Sequence, residues 1–368
     1  MRRWLILLCA TLALVACAQN PAAPSSTVPS PADAAPSETP LKVDAPTDTQ
    51  PLTVMTHDSF AISPETIAAF EARHNAKVTI LNSGDSGSML NKAILSKDAP
   101  LADVLYGVDN TFLSRAQEAD IFMPYIPAGV VFVEGINPAD SAPLIPVDRG
   151  YVLINYDVAA LQTLGLEPPR SLQDLLMPEY KGLLIVQNPA LSSPGLAFLL
   201  ATVAEFGPAK WQGYWKLLRE NDVLIAPDWN TAYYTHFSGS SGKGPRPLVV
   251  SYSSSPAAEV IYSDPKVTVA PTANVSFGAF EQIEYTGILK GTQQETLAKA
   301  FIDFMLSDTF QNDIPLNMFV YPVTQSAVLP AEFVQYSAVP TVRAQLVPAM
   351  IAANRDAWLA EWDTIMLK

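Results

Sequence analysis

The chain has 368 residues, with 36 acids against 22 lysines and arginines and a formal net charge of −14. An excess of negative charge on this scale repels nucleic acid and anionic membrane surfaces, and it suits a neutral or cationic small ligand. The two cysteines, Cys9 and Cys17, both lie at the start, so a folded body downstream has neither a disulfide nor a thiolate metal site.

Arg2 and Arg3 precede an apolar run from Trp4 to Val15, too short to span a bilayer comfortably, and small residues lead up to Cys17. Residues 1–16 therefore read as a signal peptide. The ending Leu14-Val15-Ala16-Cys17 resembles the lipobox of bacterial lipoproteins, which implies a lipid on Cys17; the other reading is a secretory signal with a chance cysteine. Either way the protein is expected in the cell envelope, outside the cytoplasm. Lipid anchoring would place it on the periplasmic side of a membrane or on the cell surface. Cleavage removes two arginines and no acid, so the remainder is more acidic still. Residues 17–51 are rich in Pro, Ala, Ser and Thr and cannot bury enough apolar surface to offset their ordering entropy, so they read as a disordered tether.

The folded body is expected from residue 52. Leu52–Met55 alternates into a strand, Ser63 caps a helix with Pro64 at its first position, and Ile67 and Phe70 mark the buried face. Lys77–Leu81 is the next strand, the loop Gly84-Asp85-Ser86-Gly87-Ser88 leads to a helix around Met89–Lys97, and Asp103–Tyr106 is a third strand. The pattern returns with strands over Gly150–Tyr156, Leu183–Gln187, Val223–Ala226 and Leu248–Ser251, a short helix over Ser171–Leu176 and a long apolar helix from Leu196. Leu297, Phe301, Phe304 and Met305 share one helical face, as do Trp358, Trp362 and Ile365, and both sets read as core. Strand, polar turn and helix in repetition indicate parallel sheets covered by helices, whose ligands sit beyond the carboxyl ends of the strands. Those ends carry His57-Asp58-Ser59, Asp85-Ser86, Asp109-Asn110, Ser193, Trp229 and Tyr252. At roughly 100–200 residues per domain, two lobes are expected.

Three constellations invite chemistry. Gly84–Ser88 resembles a serine-protease nucleophile loop, but His57 lies too near Ser86 in the chain for the barrel that such enzymes place between the two. A loop whose backbone N–H groups meet a ligand's polar group fits better. Tyr233-Tyr234 with His236 suits ferric iron, held by phenolate and carboxylate oxygens. Adjacent helical residues diverge by about 100°, however, so one tyrosine of the pair is expected inside. Trp229, Tyr252 and Phe319 at or near strand ends, accompanied by Asp58, Asp109, Asp148, Asp228 and Glu284, make a site for a flat cation, each cation–π contact contributing about 0.5–2 kcal/mol.

Several stretches, in order, resemble the thiamine-binding proteins of bacterial ABC importers, within the type II periplasmic-binding-protein superfamily. They are Leu52–Phe60, Ala102–Asn110, Ile145–Tyr151, Ser192–Leu196, Leu248–Pro256, and Phe310–Pro315 with Tyr321-Pro322-Val323. The resemblance covers roughly residues 52–368 and implies a two-lobed α/β binding protein, each lobe a mixed, mainly parallel sheet under helices. Lobe 1 would take 52–144 with about 270–310, and lobe 2 would take 145–269 with about 311–368, with crossover strands near 142–152 and 270–286. Carried over, it points to Ser193, Trp229, Tyr252 and Asp58 at the ligand. Family members often have tyrosine at His57 and tryptophan near Phe319, so thiamine, its phosphates and related pyrimidines all stay open. On this reading Trp229, Tyr252 and Phe319 pack the rings, and Asp58, Asp109 and Glu284 balance charge or hold the aminopyrimidine. His57, Ser59, Asp85, Ser86 and Tyr233 complete the candidate set. Asp148 is the residue that could instead brace a crossover.

The expected partner is an ABC permease, met by a lipid-anchored monomer without cofactor, metal or catalytic residue. The rivals are a ferric-binding protein of an importer and an envelope hydrolase acting on thiamine or a pyrimidine.

Overall fold

The structure, a computed structural model, describes residues 49–368 apart from 242 and 338. The signal peptide, Cys17 and all but the last residues of the tether lie outside the described residues. Strands are β1 (Gln50–Thr56), β2 (Ala76–Asn82), β3 (Val104–Asp109), β4 (Phe122–Met123), β5 (Ile145–Asp157), β6 (Leu184–Gln187), β7 (Leu224–Ala226), β8 (Leu248–Tyr252), β9 (Thr272–Asn274), β10 (Phe280–Leu289) and β11 (Tyr321–Pro322). Helices are α1 (Pro64–His74), α2 (Ser86–Leu95), α3 (Leu113–Glu118), α4 (Val158–Leu164), α5 (Ser193–Phe206), α6 (Trp211–Glu220), α7 (Ser255–Ile261), α8 (Glu295–Met305), α9 (Asp308–Gln311), α10 (Ile314–Asn317), α11 (Ala331–Tyr336) and α12 (Pro348–Met366). No helix among the described residues is long and apolar enough to cross a membrane.

The strand order β2-β1-β3-β10-β5-β8-β6-β7 contains two parallel groups, β2-β1-β3 and β8-β6-β7. Between them run β10 and β5, each antiparallel to its neighbours. Parallel strands need covering helices on both faces, and the expected alternation supplies them. The result is a mixed α/β architecture in which β5 and β10 run between the two parallel groups.

Local signals explain most element ends. Ser63 Oγ accepts the Thr66 N–H at 3.3 Å, Pro64 stands at the first turn, and Asn75 closes α1 in the left-handed region at φ 46°. Phe70 is buried and packs edge-on against Phe301, whereas Ile67 is half-buried and lines a surface groove. Helix α2 starts earlier than expected. Asp85 caps it through a 2.8 Å bond to the Ser86 N–H, so Ser86, Gly87 and Ser88 form its first turn. Helix α5 likewise begins at Ser193, with Pro194 in its first turn, and the helix expected over Ser171–Leu176 is a 3-10 turn at Asp174–Leu176.

One apolar cluster gathers α1, β1–β3, α8 and the start of β5, and it also takes in Phe310 of α9 and Ile314 of α10. A second contains α5, α6 and α12, where Trp362 packs edge-on against Trp215. Trp358, Trp362 and Ile365 are buried, as their spacing implied.

Candidate ligand-binding site

A cavity of about 1000 Å³ opens where the parallel strands of both groups end, the place that strand polarity dictates. Its size lies at the top of the range for small-molecule sites. His57, Asp58 and Ser59 reach it from the end of β1, Asp85 and Ser86 from the head of α2, and Ser193 from the head of α5. Trp229 and Tyr233 come after β7, Tyr252 ends β8, Glu284 projects from β10, and Phe319 precedes β11. Asp109 is the candidate that does not line the wall. It is wholly buried behind it, accepting the Ser193 hydroxyl and, at 2.6 Å, the Thr111 N–H.

The aromatic rings are fixed by their neighbours. Trp229 stacks on Tyr233 with centroids 4.9 Å apart and planes 16° from parallel, and its indole N–H donates to Ser251 Oγ at 2.9 Å. At most one indole face is left for a guest. The Tyr252 ring lies against Gly150, where a Cβ would stand 3.0 Å from Cδ1, and its hydroxyl donates to Gln282 Oε1 at 3.2 Å. Phe319 holds a left-handed backbone at φ 57°, with its carbonyl accepting the Ser254 hydroxyl. A bulky residue in that region is strained, and such strain persists only where surrounding contacts over-determine it.

Charge at the site is concentrated in one row. Strand register places Glu284 opposite Asp109 of β3 and opposite Asp148 of β5, and the β10 register shifts on either side of Tyr285. Three carboxylates in directly paired positions repel unless they are neutralised or bonded. The Tyr106 hydroxyl bridges two of them, contacting Asp148 and standing 3.1 Å from Glu284. Burial and the Glu284 charge raise the Asp148 pKa well above the carboxylate range. Burial also raises Asp109, to about 6, against the opposing bonds from Ser193 and Thr111. Glu284 goes the other way. Burial would raise it, but His57, with Nε2 3.6 Å from Glu284 Oε2, and the hydroxyl of Tyr106 hold it below its usual value. Glu284 thus faces the cavity as an ionised carboxylate, paired across the sheet with two that resist ionisation, while Asp58 and Asp85 also line the wall. Asp148 braces the strand pair rather than reaching the cavity.

Several candidates are engaged elsewhere. Asp58 accepts the Gly84 N–H at 2.8 Å, and Asp85 also accepts the Trp229 N–H at 3.3 Å. The N–H groups of Ser86 and Gly87 go to Asp85 and to Leu191 O, so the loop offers a ligand less free backbone than expected. The Ser86 hydroxyl donates to Gly107 O at 2.7 Å and that of Ser193 to Asp109, and neither meets a histidine base. Tyr233 and Tyr234 divide as adjacent positions should, buried and exposed respectively. Tyr233 donates to Glu259 at 2.9 Å, and burial raises its pKa far above the ordinary tyrosine value. Both effects disfavour the phenolate that ferric iron needs. The cavity also contains Ser254, Ser255, Glu259, Tyr262, Asn317 and Met318, which the sequence reading missed. Ser255, Glu259 and Tyr262 share one face of the helix after the Ser-Ser-Pro turn, a spacing that could have found them.

The sequence matches the family described as bacterial extracellular solute-binding protein over residues 99–340. The thiamine-binding periplasmic protein of Escherichia coli strain K12 is 34% identical over 88% of this chain and 96% of its own length. That of Brucella suis biovar 1 is 30% identical over 84% of this chain and 90% of its own length. The solved structure of a periplasmic thiamin binding protein matches with a TM-score of 0.76 at 31% identity, covering 86% of this chain and 96% of that one. A ferric binding protein from Campylobacter jejuni, at 16% identity and a TM-score of 0.66, covering 85% of this chain and 99% of its own, shares the fold. By these matches the chain belongs to the bacterial extracellular solute-binding proteins, among the thiamine-binding periplasmic proteins.

Proposed function

We propose that this protein captures thiamine, or a thiamine phosphate or related pyrimidine, outside the cytoplasm and delivers it to an ABC permease without doing chemistry. The observation that carries this reading is the pairing of Trp229, Tyr252 and Phe319 with the Glu284 carboxylate around one cavity. Aromatic faces accept flat rings and a buried carboxylate accepts a fixed positive charge. The kinship with thiamine-binding periplasmic proteins supports it. On this reading the groups β1–β3 and β6–β8 belong to two lobes that close over the ligand, with β5 and β10 flexing between them. Phe310 and Ile314 pack with β1–β3, so we place α9 and α10 with the first lobe.

Lipidation of Cys17 would hold the body near its permease and raise their effective concentration. Calorimetry of the purified protein with thiamine tests the ligand: micromolar or tighter binding is expected, and no heat at that concentration refutes it. Incorporation of labelled palmitate, lost in Cys17→Ala, tests the anchor.

A further inference from the structure

His57 is set into the cavity wall by backbone rather than by hydrogen bonds. Its ring lies over Gly107, where a Cβ would stand 2.3 Å from Cδ2 and where φ is +106°. The side chain is 10% exposed, and Nε2 has no hydrogen-bond partner. Glu284 of β10 faces it at 3.6 Å. Tyr106 of β3 faces it ring to ring at 5.7 Å, with Asp148 of β5 behind the phenol. Asp85, from the head of α2, and the adjacent Asp58 add negative charge on that side. Among the described residues, His57 is the one cationic group within ion-pair distance of Glu284.

A cation entering this cavity meets a carboxylate that already has a counterion. We infer that His57 couples ligand capture to proton release: the ligand's fixed positive charge displaces the imidazolium from Glu284, and the His57 proton leaves to water. The inference rests on the cationic ligand proposed above. Charge balances, since one cation replaces another beside the same carboxylate. Burial by itself disfavours the imidazolium, and its surrounding carboxylates more than offset this. Once a ligand cation offsets Glu284, burial is opposed only by the weaker charges of Asp85 and Asp58, and the neutral base is preferred.

The linkage has a definite sign. Below the imidazole pKa, each unit by which pH falls lowers affinity about tenfold, and above it affinity is flat. A histidine suits this role because its titration falls within the range met outside the cytoplasm. Arginine in its place would never yield the site.

Thiamine calorimetry on the full protein, in two buffers of different ionisation enthalpy between about pH 6 and pH 8, reads the proton directly. We expect close to one proton released per thiamine at the acid end, fading toward pH 8, with Kd rising as pH falls. In His57→Gln both the release and the slope should vanish. Imidazole NMR of the unsubstituted protein gives a second reading that does not depend on the variant folding. With three histidines in the chain, one signal should move from its charged to its neutral position when thiamine is added near pH 6.

Tight binding with no proton released and no slope overturns the inference while leaving the thiamine reading intact. Release that persists in His57→Gln also overturns it, by assigning the proton to Asp85 or to the Asp148–Tyr106 pair. An absence of binding at every pH refutes the thiamine reading itself, a different result from either.

Discussion

At the scale of single residues, the cavity is shaped as much by absent side chains as by present ones. Gly107 leaves room for His57 and Gly150 leaves room for Tyr252. Gly107→Ala places a methyl group inside the imidazole and on a backbone that L-residues avoid, so a loss of roughly 1–3 kcal/mol of stability is expected. Denaturant midpoints measure it, and an unchanged midpoint would show that the ring relaxes freely. Trp229→Ala should weaken thiamine binding about threefold to thirtyfold, the scale of one aromatic contact with a cation. Tyr252→Phe, which keeps the ring and loses the bond to Gln282, should cost about threefold to tenfold. Equal losses in the two variants would mean that the rings do not hold the ligand. Trp229 and Tyr252 were legible in the sequence because turns after strands announce themselves through Pro, Asp and Ser. Tyr106 was not. It sits within a strand that reads as core, and its role depends on Asp148 and Glu284, far away along the chain.

At the scale of elements, the heads of α2 and α5 tie one strand group to the other. The Gly87 N–H donates to Leu191 O at 3.0 Å, and a Cβ on Gly87 would stand 2.7 Å from Ala190 O. The Ser193 hydroxyl on Asp109 and the Trp229 N–H on Asp85 make the same connection. Gly87→Val should hold the two heads apart, giving weaker binding and a larger radius of gyration by X-ray scattering in the presence of thiamine. If neither changes, this contact plays no part in closure. Helix starts were the least readable elements. Ser86 and Ser193 look like loop residues because Ser, Gly and Pro break helices in their interiors, yet the same residues suit a first turn. The strands expected from alternation and β-branched runs lie close to where the structure has them, whereas β4, β9 and β11 were not read and β10 was read only as part of a crossover near 270–286. The register that lines up Asp109, Glu284 and Asp148 was not readable, since pairing between distant strands leaves no local mark.

At the scale of the whole molecule, the buried acids make a statement about pH. The pKa of Asp109 is raised to about 6 and that of His57 lies above its ordinary value. Both groups bind protons more tightly when folded. The stability linked to Asp109 is therefore present at acid pH and declines as pH rises from about 4 through about 6. That linked to His57 is present below its unfolded value of about 6.5 and is lost as pH rises through its higher folded value. Glu284, whose pKa is lowered, acts oppositely: its contribution is lost as pH falls below about 4.5 through the folded value. By these linkages the ligand-free protein should be most stable near about pH 4 to 5, and its Tm should fall as pH rises to 8. A Tm that climbs steadily to pH 8 would contradict this. The strongly acidic composition was readable as charge, but its division into ionised and protonated carboxylates was not, because that depends on burial.

The placement of Glu284 in mid-strand, while His57, Trp229 and Phe319 stand outside the strands, divides the molecule into a fixed part and an editable part. Moving the carboxylate would mean re-registering β10 against both β3 and β5. Changing His57, Trp229 or Phe319 alters a turn and leaves the sheet as it is. A lineage built on this plan can exchange one flat cation for another by substitutions at the strand ends. On the reading proposed above, giving up positively charged cargo would require a change at its own centre.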